Sequence, residues 1–260
     1  MPLIHRELKE LRALRLKKYR REQGRCLVEG ARLVAEALQS QVEVEQVLVT
    51  AGFTGSDLWA AIETDAQSRG LEPITITDVQ AEQLADTRQP QGIYAVVRLP
   101  AGPPLPEQLY QPPILILDDI ADPGNLGTLL RTADWFGMPT VWISRESADI
   151  YNPKVLRGGM GAHFHIPTLW QGDVTTQAGQ LPEKGILLLG AALDGVLLEQ
   201  FKPSDNGWAL VIGSEARGLS TFWRERLDVT VTIPGTGQAE SLNAAVAGGI
   251  ILNHLLNYRF

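Results

Sequence analysis

Amides, an arginine, a carboxylate and a hydroxyl gather behind apolar runs in the C-terminal half of this chain. Asn125 and Arg131 follow "ILILDD" in "DPGNLGTLLRTA", residues 122–133. Glu215 follows a buried-looking strand in "ALVIGSEARGLS", residues 209–220. Ser241 and Asn243 lie in "VTIPGTGQAESLNAAVAGGIILNHLL", residues 231–256. An amide offers donors and an acceptor, a guanidinium offers a permanent fork of donors, and a carboxylate only accepts. Together such groups could hold a hydroxyl and a phosphate of a substrate. Each also has a plain structural reading: Asn125 as a helix cap, Glu215 as a first-turn acid, Asn243 as an amide satisfied inside the protein. Neither G-x-G-x-x-G nor G-x-x-x-x-G-K-[ST] occurs in these loops, so they match neither dinucleotide nor P-loop geometry.

The surrounding pattern shows what must position these loops. Strands are expected at "ILILDD", "TVWISR", "ILLLGA", "ALVIGS" and "VTVTIP", with helices at about 125–136, 152–159, 194–201, 218–226 and 241–258. Continuous apolar strands alternating with helices imply a parallel sheet covered on both faces. Ligands of such sheets sit at the carboxyl ends of the strands, where the three loops fall. Gly213 would allow a ligand close to the backbone, and Gly248 with Gly249 would let another element pack against the last helix. That helix is apolar almost all round, as a buried or subunit-interface helix is.

The N-terminal half also alternates: "CLVEGARLVAEALQS" reads as strand then helix, "VEQVLVT", "EPITITD" and "GIYAVVRL" as strands, "SDLWAAIETDAQSRG" and "VQAEQLADT" as helices. Residues 100–113 hold six of the sixteen prolines, a stiff linker composition. The expected domains are therefore 1–105, ending in that linker, and 106–260. Residues 1–32 carry ten Lys/Arg against four Asp/Glu, and the remainder thirteen against twenty-six, within a net charge of −7. A basic arm on an acidic body suits a polyanion bound on one surface. Residues 3–21 set Leu3, Leu8, Leu11 and Leu14 among charges, a basic amphipathic helix whose Arg15, Lys17, Lys18, Arg20 and Arg21 are the candidate contacts to that polyanion. The apolar runs are too short to span a membrane, the N-terminus lacks a secretory signal's apolar core, and the single Cys26 suits a reducing cytoplasm. No metal site is expected; His163 and His165 alternate as on one face of a strand and read as structural.

Taken together, "DPGNLGTLLRTA", "IGSEARGLS" and "IPGTGQAESLNAAVA" have the order and spacing of the three motifs of SpoU-type (TrmH-like) RNA 2′-O-ribose methyltransferases. "NPKVLRGGMGAHFHIP" is similar to that family's segment between motifs one and two, and "CLVEGARLVAEAL" and "LADTRQPQGIYAVV" to its N-terminal substrate-binding domain. The resemblance covers nearly the whole chain. It implies an α/β fold: a trefoil-knotted, parallel-sheet catalytic domain behind a smaller α/β RNA-binding domain, in a cytoplasmic homodimer. It implies S-adenosylmethionine as cofactor, held by Gly213, Glu215, Ile233, Ser241 and Leu242. The catalytic candidates it gives are Asn125, Arg131, Glu215, Ser241 and Asn243, and it places Arg157 toward the RNA or the opposite subunit. Ribosomal RNA is the expected substrate ahead of tRNA. Three small-residue departures from the family pattern, Gly235, Ala216 and Gly158–Gly159, fall near the expected pockets. The rival readings are a non-catalytic RNA-binding protein of the same architecture and a nucleotide-dependent oxidoreductase; the latter lacks any dinucleotide fingerprint.

Overall fold

The computed structural model describes residues 3–203 and 207–257. These form two compact units: Met1–Gly102 together with Tyr151–His165, and Pro103–Ile150 together with Ile166–Phe260.

In the first unit, strands β1 (Arg25–Glu29), β2 (Val44–Thr50), β3 (Ile74–Ile76) and β4 (Ile93–Arg98) form a sheet ordered β1-β4-β2-β3. The two-residue alternation of a strand sorts β4 between two cores. Ile93, Ala95 and Val97 pack with Val34, Ala37 and Leu38 of the Ala31–Gln39 helix. Tyr94 and Val96 pack with Leu3, Leu8, Leu11 and Leu14. The basic N-terminal segment is thus a covering layer of the sheet, not a free arm.

That segment is two helices, His5–Ala13 and Lys17–Gln23, rather than one. The break corrects the reading of Arg20 as an RNA contact. Arg20 is 3% exposed, and its Nη1 donates to the carbonyls of Leu14 (2.8 Å) and Arg15 (2.7 Å). A permanent cation satisfying the carbonyls at a helix end is favoured by both charge and hydrogen bonding. Arg20→Met should therefore lower unfolding stability by about 2 kcal/mol in urea melts; an unchanged midpoint would show that the capping is dispensable.

Residues Tyr151–His165, expected from the sequence to belong to the C-terminal domain, pack within the first unit. Leu156 and Phe164 join the core of Val34 and Ala37. Arg157 Nη2 lies 2.8 Å from Asp86 Oδ2, and His165 Nε2 lies 2.9 Å from Glu36 Oε2. His163 and His165 are not on a strand: Ala162–Phe164 is a 3₁₀ turn, with His163 buried.

The second unit is a six-stranded, wholly parallel sheet of β5 (Ile114–Leu117), β6 (Thr140–Ser144), β7 (Thr168–Gly172), β8 (Leu187–Leu197), β9 (Trp208–Ile212) and β10 (Val229–Thr232). Its order is β10-β8-β9-β5-β6-β7. Two elements differ from expectation. The short β7 was not anticipated. The expected helix at 194–201 is instead the end of β8 and a 3₁₀ turn, Leu198–Gln200. Along β10, Thr230 faces Gly190 but Val231 faces Val196, so residues 191–195 leave the ladder. The Thr230 and Thr232 hydroxyls donate to the carbonyls of Asp194 (3.0 Å) and Leu193 (3.1 Å), fixing that excursion where a helix would otherwise begin. Helix Pro123–Trp135 follows β5, and helix Ala244–Asn257 packs on it. A Cβ at Gly248 would lie 2.6 Å from the Leu129 Cδ2 methyl, so glycine lets the two helices approach without displacing that side chain. Residue 258, the expected end of the last helix, lies outside the described residues.

Candidate active site

Three loops leave the carboxyl edge of the second unit's sheet after β5, β9 and β10, and each contributes one member of a hydrogen-bonded chain. The first begins at Asp122, which caps the Pro123–Trp135 helix by accepting from the Asn125 backbone N–H at 2.8 Å. Capping by Asp122, not Asn125, is a correction with a consequence: the Asn125 side chain is left for other work. Its Nδ2 donates to Glu215 Oε1 at 2.7 Å, and its Oδ1 accepts from Asn243 Nδ2 at 2.9 Å. Asn243 in turn accepts at Oδ1 from the N–H groups of Ala245 (2.9 Å) and Val246 (3.3 Å). The final helix starts at Ala244, so Asn243 caps it and is not inside its first turn. The amide orientations are mutually determined. A carboxylate only accepts, so Asn125 must turn its nitrogen to Glu215 and its oxygen to Asn243.

Glu215 sits in a tight turn, not at a helix start. Gly218 N–H donates to Ser214 O at 2.7 Å, and Ser214 and Gly218 form an isolated antiparallel bridge. A Cβ at Gly213 would lie 2.5 Å from Gly218 O. Glycine is needed there because the chain's own backbone folds back over it, which corrects the reading of that space as room for a ligand.

The remaining candidates do not join this chain. Ser241 and Leu242 are exposed and precede Asn243, and Ile233 is half-buried at the end of β10. Arg131 is exposed, with no hydrogen bond or ion pair to another described residue. It lies six residues beyond Asn125, so it points about 120° away around the helix. Trp135, one turn further, is 83% exposed, and sequence reasoning did not single it out. In the first unit, Lys18 and Arg21 are exposed and Lys17 is half-buried. Arg15 Nε donates to Leu84 O at 3.2 Å, and Arg157 is paired with Asp86. Among the described residues no group of three or more His, Cys, Asp or Glu could hold a metal ion.

Asp118, at the end of β5, was also missed. It accepts from Trp223 Nε1 at 2.8 Å, and burial pushes its carboxyl above the usual range, opposed by hydrogen bonds from Trp223 and Ser144. An aspartate closing an apolar strand gives no sequence signal separating such an anchor from an active-site acid.

Comparison with known proteins places this geometry in context. Residues 112–253 match the SpoU rRNA Methylase family, and residues 5–95 match the MRM3-like substrate binding domain. The chain is 33% identical over 252 residues, 96% of each protein, to the 23S rRNA (guanosine(2553)-2′-O)-methyltransferase RlmP of Bacillus subtilis (strain 168). Among solved structures, the AdoMet-bound rRNA methyltransferase from Sinorhizobium meliloti superposes with a TM-score of 0.83 at 25% identity, covering 97% of this chain and 95% of that one. The SpoU methyltransferase AviRb from Streptomyces viridochromogenes, in complex with AdoMet, gives 0.82 at 27% identity, covering 98% of both chains.

Proposed function

This chain belongs to the SpoU rRNA methylase family, and from that premise we infer that it transfers a methyl group from S-adenosylmethionine to a ribose 2′-hydroxyl of RNA. The observation carrying this reading is the Glu215–Asn125–Asn243 chain, which unites the three loops at one edge of a parallel sheet.

The residues present fit the cofactor. β8 lies between β9 and β10, so Ile233 and the backbone groups of Gly213, whose Cβ side is covered by Gly218, follow two strands that flank a common neighbour. Leu242, 48% exposed, offers apolar surface for an adenine, and Glu215 offers negative charge to a sulfonium. Ser241 supplies a hydroxyl for the polar end. When bound, S-adenosylmethionine supplies an electrophilic methyl on a positively charged sulfur.

The chain's own residues have the rest to do. Holding two reactants in line can lower the barrier by roughly 7–11 kcal/mol. Arg131 carries a guanidinium, a donor-only fork that makes a poor base but suits phosphate and ribose oxygens. Bound RNA that brings its 2′-hydroxyl against this charge would have that hydroxyl's pKa lowered. Glu215 Oε1 accepts from Asn125, which leaves Oε2 to take the 2′-hydroxyl's proton.

Ribosomal RNA is the proposed substrate. The matched substrate-binding domain and the B. subtilis relative, named for a guanosine of 23S rRNA, support it. We also propose the knotted threading and a homodimer. The interleaved order of β8, β9 and β10 supports the first. Exposed Trp135, Val246 and Ile250 on the paired helices support the second, which sedimentation equilibrium reads directly. The proposed compartment, a reducing cytoplasm, rests on the sequence's single cysteine, Cys26, which is buried; no helix among the described residues is long and apolar enough to cross a membrane.

The test joins calorimetric titration with S-adenosylmethionine to a tritiated-methyl assay on unmodified total RNA. Binding with label in RNA is expected; binding without transfer to any RNA would favour a non-catalytic RNA-binding protein. The basic layer carries its own prediction. Neutralising Lys17, Lys18 and Arg21 should flatten the dependence of log affinity on log salt by about 2, since each phosphate no longer neutralised removes roughly 0.7 from the slope. An unchanged slope would put the RNA elsewhere.

A further inference from the structure

A crevice opens at the same sheet edge, beside the Glu215 loop. It measures about 680 Å³ and is walled by residues following β5, β6, β7 and β9. That is within the roughly 300–1,000 Å³ of small-ligand sites. It also stands where the strand order turns: β6 and β7 run outward on one side of β5, while β9, β8 and β10 lie on the other. Open α/β sheets bind ligands at this switch point. The crevice includes Ser214 and Arg217, which bracket Glu215 in sequence, but none of the residues given above to the cofactor.

We propose that this crevice takes the RNA's target nucleoside and that Asp119 reads its base as guanine. The inference rests on the methyl-transfer reading above. Four carboxylates, Asp118, Asp119, Glu146 and Asp173, face two guanidiniums, Arg145 and Arg217, so a polyphosphate is disfavoured and a donor-rich neutral edge is suited. Two of the carboxylates are committed. Asp118 accepts from Trp223, and Asp173 caps its own helix while accepting from the hydroxyls of Thr175 and Thr176.

Asp119 is held differently. Its φ is +57°, a conformation rare outside glycine but tolerated by Asp and Asn. Buried hydroxyls fix it there: Asp119 N–H donates to Ser144 Oγ and Ile120 N–H to Ser147 Oγ, both at 2.9 Å. The carboxylate so aimed pairs with Arg217, itself largely exposed. Such strain persists where surrounding structure imposes it and concentrates at functional sites. Guanine alone among the four RNA bases presents two adjacent donors, N1–H and the N2 amino group, matching the two oxygens of one carboxylate. Arg217 must swing off Asp119 as the base enters. Arg145, exposed and close enough to Asp173 to act on its charge, then offers a cation for the nucleotide's phosphate.

The test measures methyl transfer from tritiated S-adenosylmethionine to unmodified rRNA, with nucleoside analysis of the product. All label is expected in 2′-O-methylguanosine. Asp119→Asn, which keeps the backbone conformation accessible, should raise the KM for RNA at least tenfold and leave the Kd for S-adenosylmethionine within twofold. Arg145→Glu, at an exposed position, should do the same and serves if the first variant fails to fold. Label in a different nucleoside, or a wild-type KM in the folded variants, would overturn this assignment alone. Weakened cofactor binding with unchanged KM would give the crevice to S-adenosylmethionine instead. Absence of label from every RNA with the unaltered chain would overturn the proposed function, and this inference with it.

Discussion

Arg131→Lys is expected to slow methyl transfer by roughly 10²–10³-fold while cofactor affinity stays within about twofold. Lysine keeps the charge but loses the planar fork, so it can meet a phosphate oxygen or the ribose oxygen but not both in one fixed geometry. The position is suited to the experiment because Arg131 is exposed and makes no hydrogen bond or ion pair to another described residue. Its loss should not unfold the helix, and surface changes of this kind usually stay within about 0.5 kcal/mol of the original stability. Single-turnover rates at saturating RNA, with a thermal melt of each protein, separate the two effects. Near-full turnover by the lysine variant would remove Arg131 from the reaction altogether, as base or as clamp.

The second large effect is expected at Asn125. Asn125→Asp removes the donor that meets Glu215 Oε1 at 2.7 Å and sets two carboxylates face to face. The chain joining the three loops then opens at its centre. Transfer efficiency should fall by about 10²-fold or more, since small misplacements of positioning groups carry costs of that size, and cofactor affinity should fall with it. Pairing N125D with E215Q restores a donor opposite an acceptor. Cofactor affinity should then recover, while turnover stays low because glutamine cannot take a proton. Recovery of both would show that Glu215 orders the loops without accepting the proton; recovery of neither would show that the chain does not organise the site.

The three loops are legible in the sequence because each stands where a strand pattern ends: the apolar "ILIL" and "WALVI" and the β-branched "VTVT". Which polar atom meets which was not legible. "DPGN" contains two helix-capping residues three positions apart, and only the fold shows that Asp122 takes the cap and frees the Asn125 amide. Gly213 suggested a ligand, but the backbone at Gly218, brought over by a turn that no periodicity signals, fills that space. Arg20 looked like its basic neighbours. Its burial follows from a helix break at Leu14–Leu16, where nothing in the leucine spacing interrupts the amphipathic pattern. The strand end at 194–197 reads locally as helix because its pairing with β10 is long-range and irregular, set by threonine hydroxyls some forty residues away. Local pattern found the elements and the loops; tertiary contacts decided the partners.

The account's central claim is methylation of a ribose oxygen by the pocket these loops form. Its most direct measurement is alkaline hydrolysis of rRNA after incubation with the protein and labelled S-adenosylmethionine. A 2′-O-methyl group removes the nucleophile that cleaves the adjacent phosphodiester. The account therefore predicts label in an alkali-stable dinucleotide, lost with N125D and R131K. Label appearing only in mononucleotides, as from a methylated base, would contradict it.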